Sequence, residues 1–90
     1  MKIDFTKLTI QVSFEGAMQT FNVAKVVGNA MKYTGSVVSD IGFDKLAEKI
    51  YFSDGEVDIP TDYKAALAKV ISDMPLIAAV KKELLKRING

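Results

Sequence analysis

The stretch that decides the fold is Lys7-Leu8-Thr9-Ile10-Gln11-Val12-Ser13-Phe14, in which polar and apolar residues alternate without interruption. Successive side chains of a β-strand point to opposite faces, so the four apolar residues would share one face. We therefore predict a half-buried strand over residues 7–14. Leu8, Ile10 and Val12 are expected in the core, whereas Thr9 and Gln11 are expected to be exposed.

A turn follows this strand at Glu15-Gly16, because Gly16 can take a positive φ without steric cost. Residues 17–21 can then return as the second strand of a β-hairpin. The length of the hairpin loop stays open, since a two-residue turn would place Gln19 beside Val12 on the apolar face.

Two helices are predicted next. The first runs from Val23 to about Thr34, with Asn22 as its N-cap and Gly35 as its stop signal. A connector over residues 36–40 leads to a second helix that starts near Ile41 and ends near residues 53–55. Gly28 inside the first helix costs about 1 kcal/mol relative to alanine, which indicates close approach by the hairpin or by the second helix.

The last third of the chain predicts a short extended stretch at residues 56–60, followed by two more helices. Thr61 is the predicted cap of the third helix, and Pro75 is predicted in the first turn of the fourth. Their apolar faces are Tyr63, Ala66, Leu67, Val70, Ile71 and Met74 for the third helix, and Leu76, Ile77, Val80, Leu84 and Ile88 for the fourth. The predicted fold is α+β, with an N-terminal β-hairpin packed against three or four short helices in a single domain over residues 1–90.

The chemistry of an enzyme is not expected in this chain. Its 90 residues include no cysteine and no histidine, which excludes cysteine nucleophiles, Ser-His-Asp triads and most zinc sites. Phosphate-binding glycine motifs and the nucleophile-elbow pattern are also missing. We therefore predict no catalytic residues, no cofactor and no bound metal.

An acidic stretch from Asp54 to Asp62 superficially resembles a calcium-binding loop. Ile59 stands where such a loop needs glycine, and Ala65 stands where it needs a bidentate acid. The prediction is a solvated loop between helices. The acids of residues 40–62 and the bases of residues 64–90 also predict a molecule that is acidic in its middle and basic near its end, with possible charge complementarity to a partner.

Nucleic acid is the weaker alternative for a partner. Val23-Ala24 and Val27-Gly28 have the spacing of a helix-turn-helix, but Asn29 occupies an apolar position of that motif and Gly35 would interrupt the recognition helix. Four bases near the end of the fourth helix could bind phosphate or anionic lipid, or could simply complement the negative helix terminus; they are Lys81, Lys82, Lys86 and Arg87.

Self-association as a homodimer is expected, because the fourth helix carries apolar residues over a wider arc than one small core covers. The candidate interface residues are Leu76, Leu84, Leu85 and Ile88. Two routes are open: pairing of the fourth helix with its two-fold mate, or pairing of a hairpin edge strand. The helix route is favoured, because Lys2 and Lys7 are expected near the hairpin edge, where lysine discourages strand pairing.

No segment approaches the roughly 18 apolar residues that a membrane span needs, and the first residues do not resemble a secretory signal, so a cytoplasmic protein with no membrane contact is expected. Several segments resemble small uncharacterised proteins of bacteriophages and prophages; they are Gly28-Asn29-Ala30, the run from Asp40 to Ala47, Ile50-Tyr51 and Gly55-Glu56-Val57. The resemblance implies a phage-derived accessory protein made in the host cytoplasm, from a packaging, morphogenesis or regulatory gene set. It supplies no catalytic residues. The predicted function is thus a non-enzymatic interaction protein, with a small nucleic-acid-binding regulator as the alternative.

Overall fold

Two short antiparallel β-sheets and four α-helices make up the part of the chain that a computed structural model describes, residues 1–33 and 40–89. The predicted α+β fold with an N-terminal hairpin is confirmed. The hairpin consists of β2 (Leu8–Gln11) and β3 (Met18–Phe21), with Leu8 opposite Phe21 and Gln11 opposite Met18.

The hairpin is shorter than its alternating sequence predicts. Leu8 and Ile10 are buried and Thr9 and Gln11 are exposed, as predicted. The prediction for Val12 is wrong, because its side chain is 41% exposed. Phe14, on the same predicted face, is also fully exposed. The reason is that β2 ends at Gln11, and the chain beyond it forms the loop of the hairpin rather than a strand over the core.

A second sheet pairs β1 (Lys2–Asp4) with β4 (Glu56–Asp58). Residues 56–58 are extended as predicted, but their partner strand at the start of the chain was not predicted. Ile3 lies opposite Val57, and both are buried. This pairing therefore fixes the first residues of the chain against the loop that follows the second helix.

The two helices α1 (Ala24–Tyr33) and α2 (Ile41–Tyr51) pack closely against each other. The Asn22 side chain caps α1 by accepting a hydrogen bond from the backbone N–H of Ala24 at 3.2 Å. At Gly28 an added Cβ would lie 2.7 Å from Tyr51 Cβ, so the predicted close approach is confirmed and α2 is the neighbour. The predicted end of the first helix at Thr34 and Gly35 and the connector over 36–39 lie outside the described residues.

The start of α2 is tied to the next part of the chain through Asp40. Its Oδ1 atom accepts hydrogen bonds from the backbone N–H groups of Gly42 and Phe43, at 2.6 and 3.3 Å, and from the Tyr63 hydroxyl at 3.0 Å. The Tyr63 hydroxyl and the Gly42 amide lower the pKa of Asp40, because both stabilise its ionised form. The same bond to Asp40 raises the pKa of Tyr63.

Both C-terminal helices begin later than the sequence predicts. A 3-10 turn over Thr61–Tyr63 precedes α3 (Lys64–Asp73), and no side chain caps that helix, so the Thr61 cap is wrong. Pro75 is not in the first turn of α4 (Ala78–Asn89), because Met74 is extended and the chain stays irregular through residue 77. Ile77, predicted on the apolar face of that helix, is 56% exposed.

One cluster of buried side chains joins these elements into a core. From α3 it takes Leu67, Val70 and Ile71, followed by Met74 beyond the helix end. From α4 it takes Val80, Leu84 and Ile88. Tyr63 and Ala66 are partly buried and pack against its edge. α4 also packs against β2, which places one side of the hairpin beside that helix.

Candidate protein-interaction surface

The loop at the end of the hairpin is held together by hydrogen bonds around Ser13. The Val12 N–H donates to the Ala17 carbonyl at 2.8 Å and thus closes the loop. The Ser13 carbonyl accepts from Gln11 Nε2 at 2.8 Å, and its hydroxyl oxygen accepts from the Ala17 N–H at 3.2 Å. Gly16 has a φ of 91°, as predicted from its place in the turn.

This ordered loop presents apolar side chains to solvent. Phe14 is as exposed as an isolated residue, and Val12 and Met18 beside it in the hairpin are each exposed by about half. Burying a phenylalanine side chain is worth about 1.5–3 kcal/mol relative to leaving it in water. Covering these side chains with a partner would therefore be favourable, as it is at known partner-binding surfaces.

Two adjoining depressions connect the loop to α4. The first has a volume of about 330 Å³ and is lined by Gln11, Val12, Ser13, Phe14 and Ala79. The second has a volume of about 390 Å³ and is lined by Thr9, Ile10, Gln11, Met18, Ala79, Lys82, Glu83 and Lys86. They share Gln11 and Ala79 and therefore adjoin; we call the two together the hairpin–α4 groove.

Charge is distributed unevenly along the hairpin–α4 groove. Its loop end has no charged residue, whereas its far end carries Lys82 and Lys86 together with Glu83, which is paired with Arg87. The other two bases of the predicted basic patch have partners in the chain. Lys81 Nζ donates to the Ser72 carbonyl at 3.0 Å, and Arg87 Nε donates to Glu83 Oε1 at 3.3 Å.

The predicted interface residues of the fourth helix do not form an exposed face. Leu84 and Ile88 have no exposed surface, because they belong to the chain's own core. Leu76 and Leu85 are partly buried and pack against that core. The homodimer itself stays a prediction, but α4 uses most of its apolar stripe within the monomer.

A second surface lies where α1 meets α2. It is a depression of about 250 Å³ with aromatic walls from Tyr33, Tyr51 and Phe52. Lys32 crosses it to bind Glu48 at 2.7 Å, which raises the pKa of Lys32 and lowers that of Glu48. Lys25 lies 4.5 Å from the centre of the Tyr51 ring. Lys25 and Lys32, the two lysines of α1, therefore both contact neighbours in the fold.

The acidic stretch 54–62 includes the strand β4. Glu56 and Asp58 lie on β4, whose ladder with β1 fixes their backbone, and Asp58 contacts the amino terminus at 3.2 Å. Within residues 1–33 and 40–89, no group of three or more acidic residues lies close enough together to hold a metal ion. The lack of specific metal binding stays a prediction.

Comparison with protein-family models, with curated proteins and with solved structures finds no match to this chain. In the described ranges, no helix is long and apolar enough to cross a membrane. The hairpin–α4 groove was not predicted from the sequence, because Phe14 was assigned to the apolar strand face. The sequence left the length of the hairpin loop open, and the structure places Gln19 opposite Ile10 rather than Val12.

Proposed function

We propose that this chain is a non-enzymatic interaction protein that binds a segment of a partner protein in the hairpin–α4 groove. The observation that carries the proposal is the full exposure of Phe14 on an ordered loop, at the apolar end of that groove. Aromatic side chains, phenylalanine among them, are enriched in protein interfaces relative to the rest of the surface.

The groove also suggests the chemistry of the partner segment. Val12 and Phe14 offer an apolar end, and Lys82 and Lys86 offer a basic end. A short segment with an apolar anchor followed by acidic residues would complement both ends. The expected partner is therefore a protein with an exposed apolar and acidic stretch.

The setting that we propose comes from the resemblance to small phage and prophage proteins. It places the chain in the host cytoplasm, as an accessory protein of a packaging, morphogenesis or regulatory gene set. Nucleic-acid binding is the second candidate, favoured by the exposed Lys82 and Lys86. It is the weaker one, because two lysines supply few phosphate contacts.

A peptide-display selection tests the first candidate. The immobilised protein is panned against a random library, and the selected peptides are measured for binding to the wild type and to Phe14→Ser. We expect peptides with an aromatic or aliphatic anchor and nearby acids, and a loss of at least about tenfold in affinity for Phe14→Ser.

Phe52→Ser is the matched control, because Phe52 is also largely exposed but lies at the α1–α2 surface. It should bind the selected peptides as the wild type does. Selected peptides that bind Phe14→Ser and the wild type equally would overturn the proposal. A retarded band with random duplex DNA at low salt, lost in Lys82→Glu, would favour the nucleic-acid candidate instead.

A further inference from the structure

The outer edge of β3 is a second candidate interaction surface, beyond the one used in the proposed function. β3 pairs with β2 on one side, and in the part of the chain that the structure describes no other strand pairs with it. Met18, Gln19 and Thr20 are all exposed. α4 packs more closely against β2 than against β3.

The hydrogen-bonding pattern shows which groups face that edge. The bond from the Val12 N–H to the Ala17 carbonyl makes these opposed residues a hydrogen-bonded pair. Such pairs alternate along an antiparallel ladder, so Ile10 with Gln19 is the next hydrogen-bonded pair. The backbone N–H and C=O groups of Met18 and Thr20 therefore point away from β2. The 2.8 Å contact between the hydroxyls of Thr9 and Thr20 agrees, because non-hydrogen-bonded pairs bring side chains closer.

The edge of β3 is short, but it carries neither of two other features that discourage strands from pairing, charge and proline. The segment from Met18 to Phe21 contains no charged residue and no proline. The lysines expected to guard it lie elsewhere: Lys2 pairs with Asp58 in the other sheet, and Lys7 precedes β2. These lysines therefore do not protect the β3 edge, and Leu84 and Ile88 of the fourth helix are buried in the core of the monomer.

We propose that two copies of this chain pair along β3 to form a continuous four-stranded antiparallel sheet. A two-fold axis perpendicular to the sheet passes beside Gln19, which then faces Gln19 of the other copy. In this register Met18 of each copy exchanges hydrogen bonds with Thr20 of the other. All outward-facing backbone groups of β3 gain partners.

A second copy fits this edge because the groups to be paired are symmetric about Gln19. Any extended peptide could add to a strand edge, but a second β3 presents the same spacing on a strand already held in its extended shape by β2. The formal net charge is only +1, so long-range repulsion between copies is small. The short edge predicts a weak dimer, because little surface is buried between the copies.

Sedimentation equilibrium over a concentration series tests the pairing. The wild-type mass should rise from 9.8 kDa toward twice that value as the concentration increases. Gln19→Lys should remain monomeric, because it places two positive charges side by side on the axis. Gln11→Lys, the matched control on β2, should dimerise like the wild type. A mixture of Gln19→Lys and Gln19→Glu should form a heterodimer at least as stable as the wild-type dimer.

Amide hydrogen exchange is an independent test of the strand pairing. Exchange at Met18 and Thr20 should slow with increasing concentration, while Gln19, whose N–H faces β2, should be protected throughout. A mass of 9.8 kDa at every concentration, or a dimer that Gln19→Lys leaves intact, would overturn the proposal. Phe14→Ser should dimerise normally and Gln19→Lys should still bind the selected peptides, so this inference and the proposed function can fail separately.

Discussion

Replacing Gly28 by alanine sets two opposing effects against each other. Alanine is favoured over glycine by about 1 kcal/mol inside a helix, so propensity alone predicts stabilisation. The structure predicts the opposite sign. An added Cβ would lie 2.7 Å from Tyr51 Cβ and 2.9 Å from the Ala47 carbonyl oxygen.

The magnitude follows from the nature of these neighbours. A carbonyl oxygen and a Cβ atom cannot rotate away, so α1 and α2 must separate by about 1 Å to restore an ordinary contact distance. Overpacking of this kind costs about 1–3 kcal/mol, and it also loosens contacts elsewhere between the helices. Contacts this short fall in the upper part of that range, about 2–3 kcal/mol. After subtraction of about 1 kcal/mol for the gain in propensity, we expect Gly28→Ala to lose about 1–2 kcal/mol and to melt about 5–15 °C lower.

Urea unfolding followed by circular dichroism measures the effect. Gly55→Ala is the matched control, because nothing lies within 4 Å of its added Cβ. It should change stability by between about 0 and +1 kcal/mol. A Gly28→Ala protein as stable as the wild type would show that the helices are not packed as closely as described.

The remaining predictions concern the hairpin, the Asp40 cap and metals. Ile10→Ala should cost about 2–4 kcal/mol because the side chain is buried, whereas Val12→Ala should cost less than about 1 kcal/mol; equal losses in urea unfolding would place Val12 in the core after all. The pKa of Asp40 is lowered in the folded state, so its contribution to stability is present above the ordinary aspartate pKa and is lost as the pH falls through the lowered value. The melting temperature of Tyr63→Phe should therefore be below that of the wild type at neutral pH, and the gap should narrow in acid; a gap that widens in acid would contradict the cause given for the shift. Calorimetry should detect no specific binding of Ca²⁺, Zn²⁺ or Mg²⁺, and a micromolar Ca²⁺ affinity abolished by Asp54→Ala would show that the acidic stretch is a ligand loop.

Periodicity in the sequence predicted those parts of the fold in which the regularly spaced apolar residues are also buried in the core. The alternation around Leu8 and Ile10 and the spacing of Leu67, Val70 and Ile71 each identified a buried face correctly. Gly28 correctly predicted a close neighbour, because glycine is unfavourable inside a helix and is retained where another element approaches closely. That neighbour is Tyr51.

Local pattern failed where the core ends or where a partner strand is distant in sequence. The alternation continues through Val12 and Phe14, but no core lies beneath them, so the pattern alone could not show where burial stops. The pairing of β1 with β4 joins Lys2 to Asp58, a separation that no periodicity reports. The hairpin–α4 groove was missed for the same two kinds of reason: Phe14 lies beyond the end of the core, and α4 packs against β2, which is distant from it in sequence.

Chemical-shift mapping with a display-selected peptide tests the central claim most directly. Titration of the peptide into the ¹⁵N-labelled protein should perturb the backbone amides of Val12, Phe14, Ala79 and Lys82, which line the hairpin–α4 groove. Perturbations centred instead on Tyr33, Tyr51 and Phe52 would place the binding site at the α1–α2 surface and contradict the account.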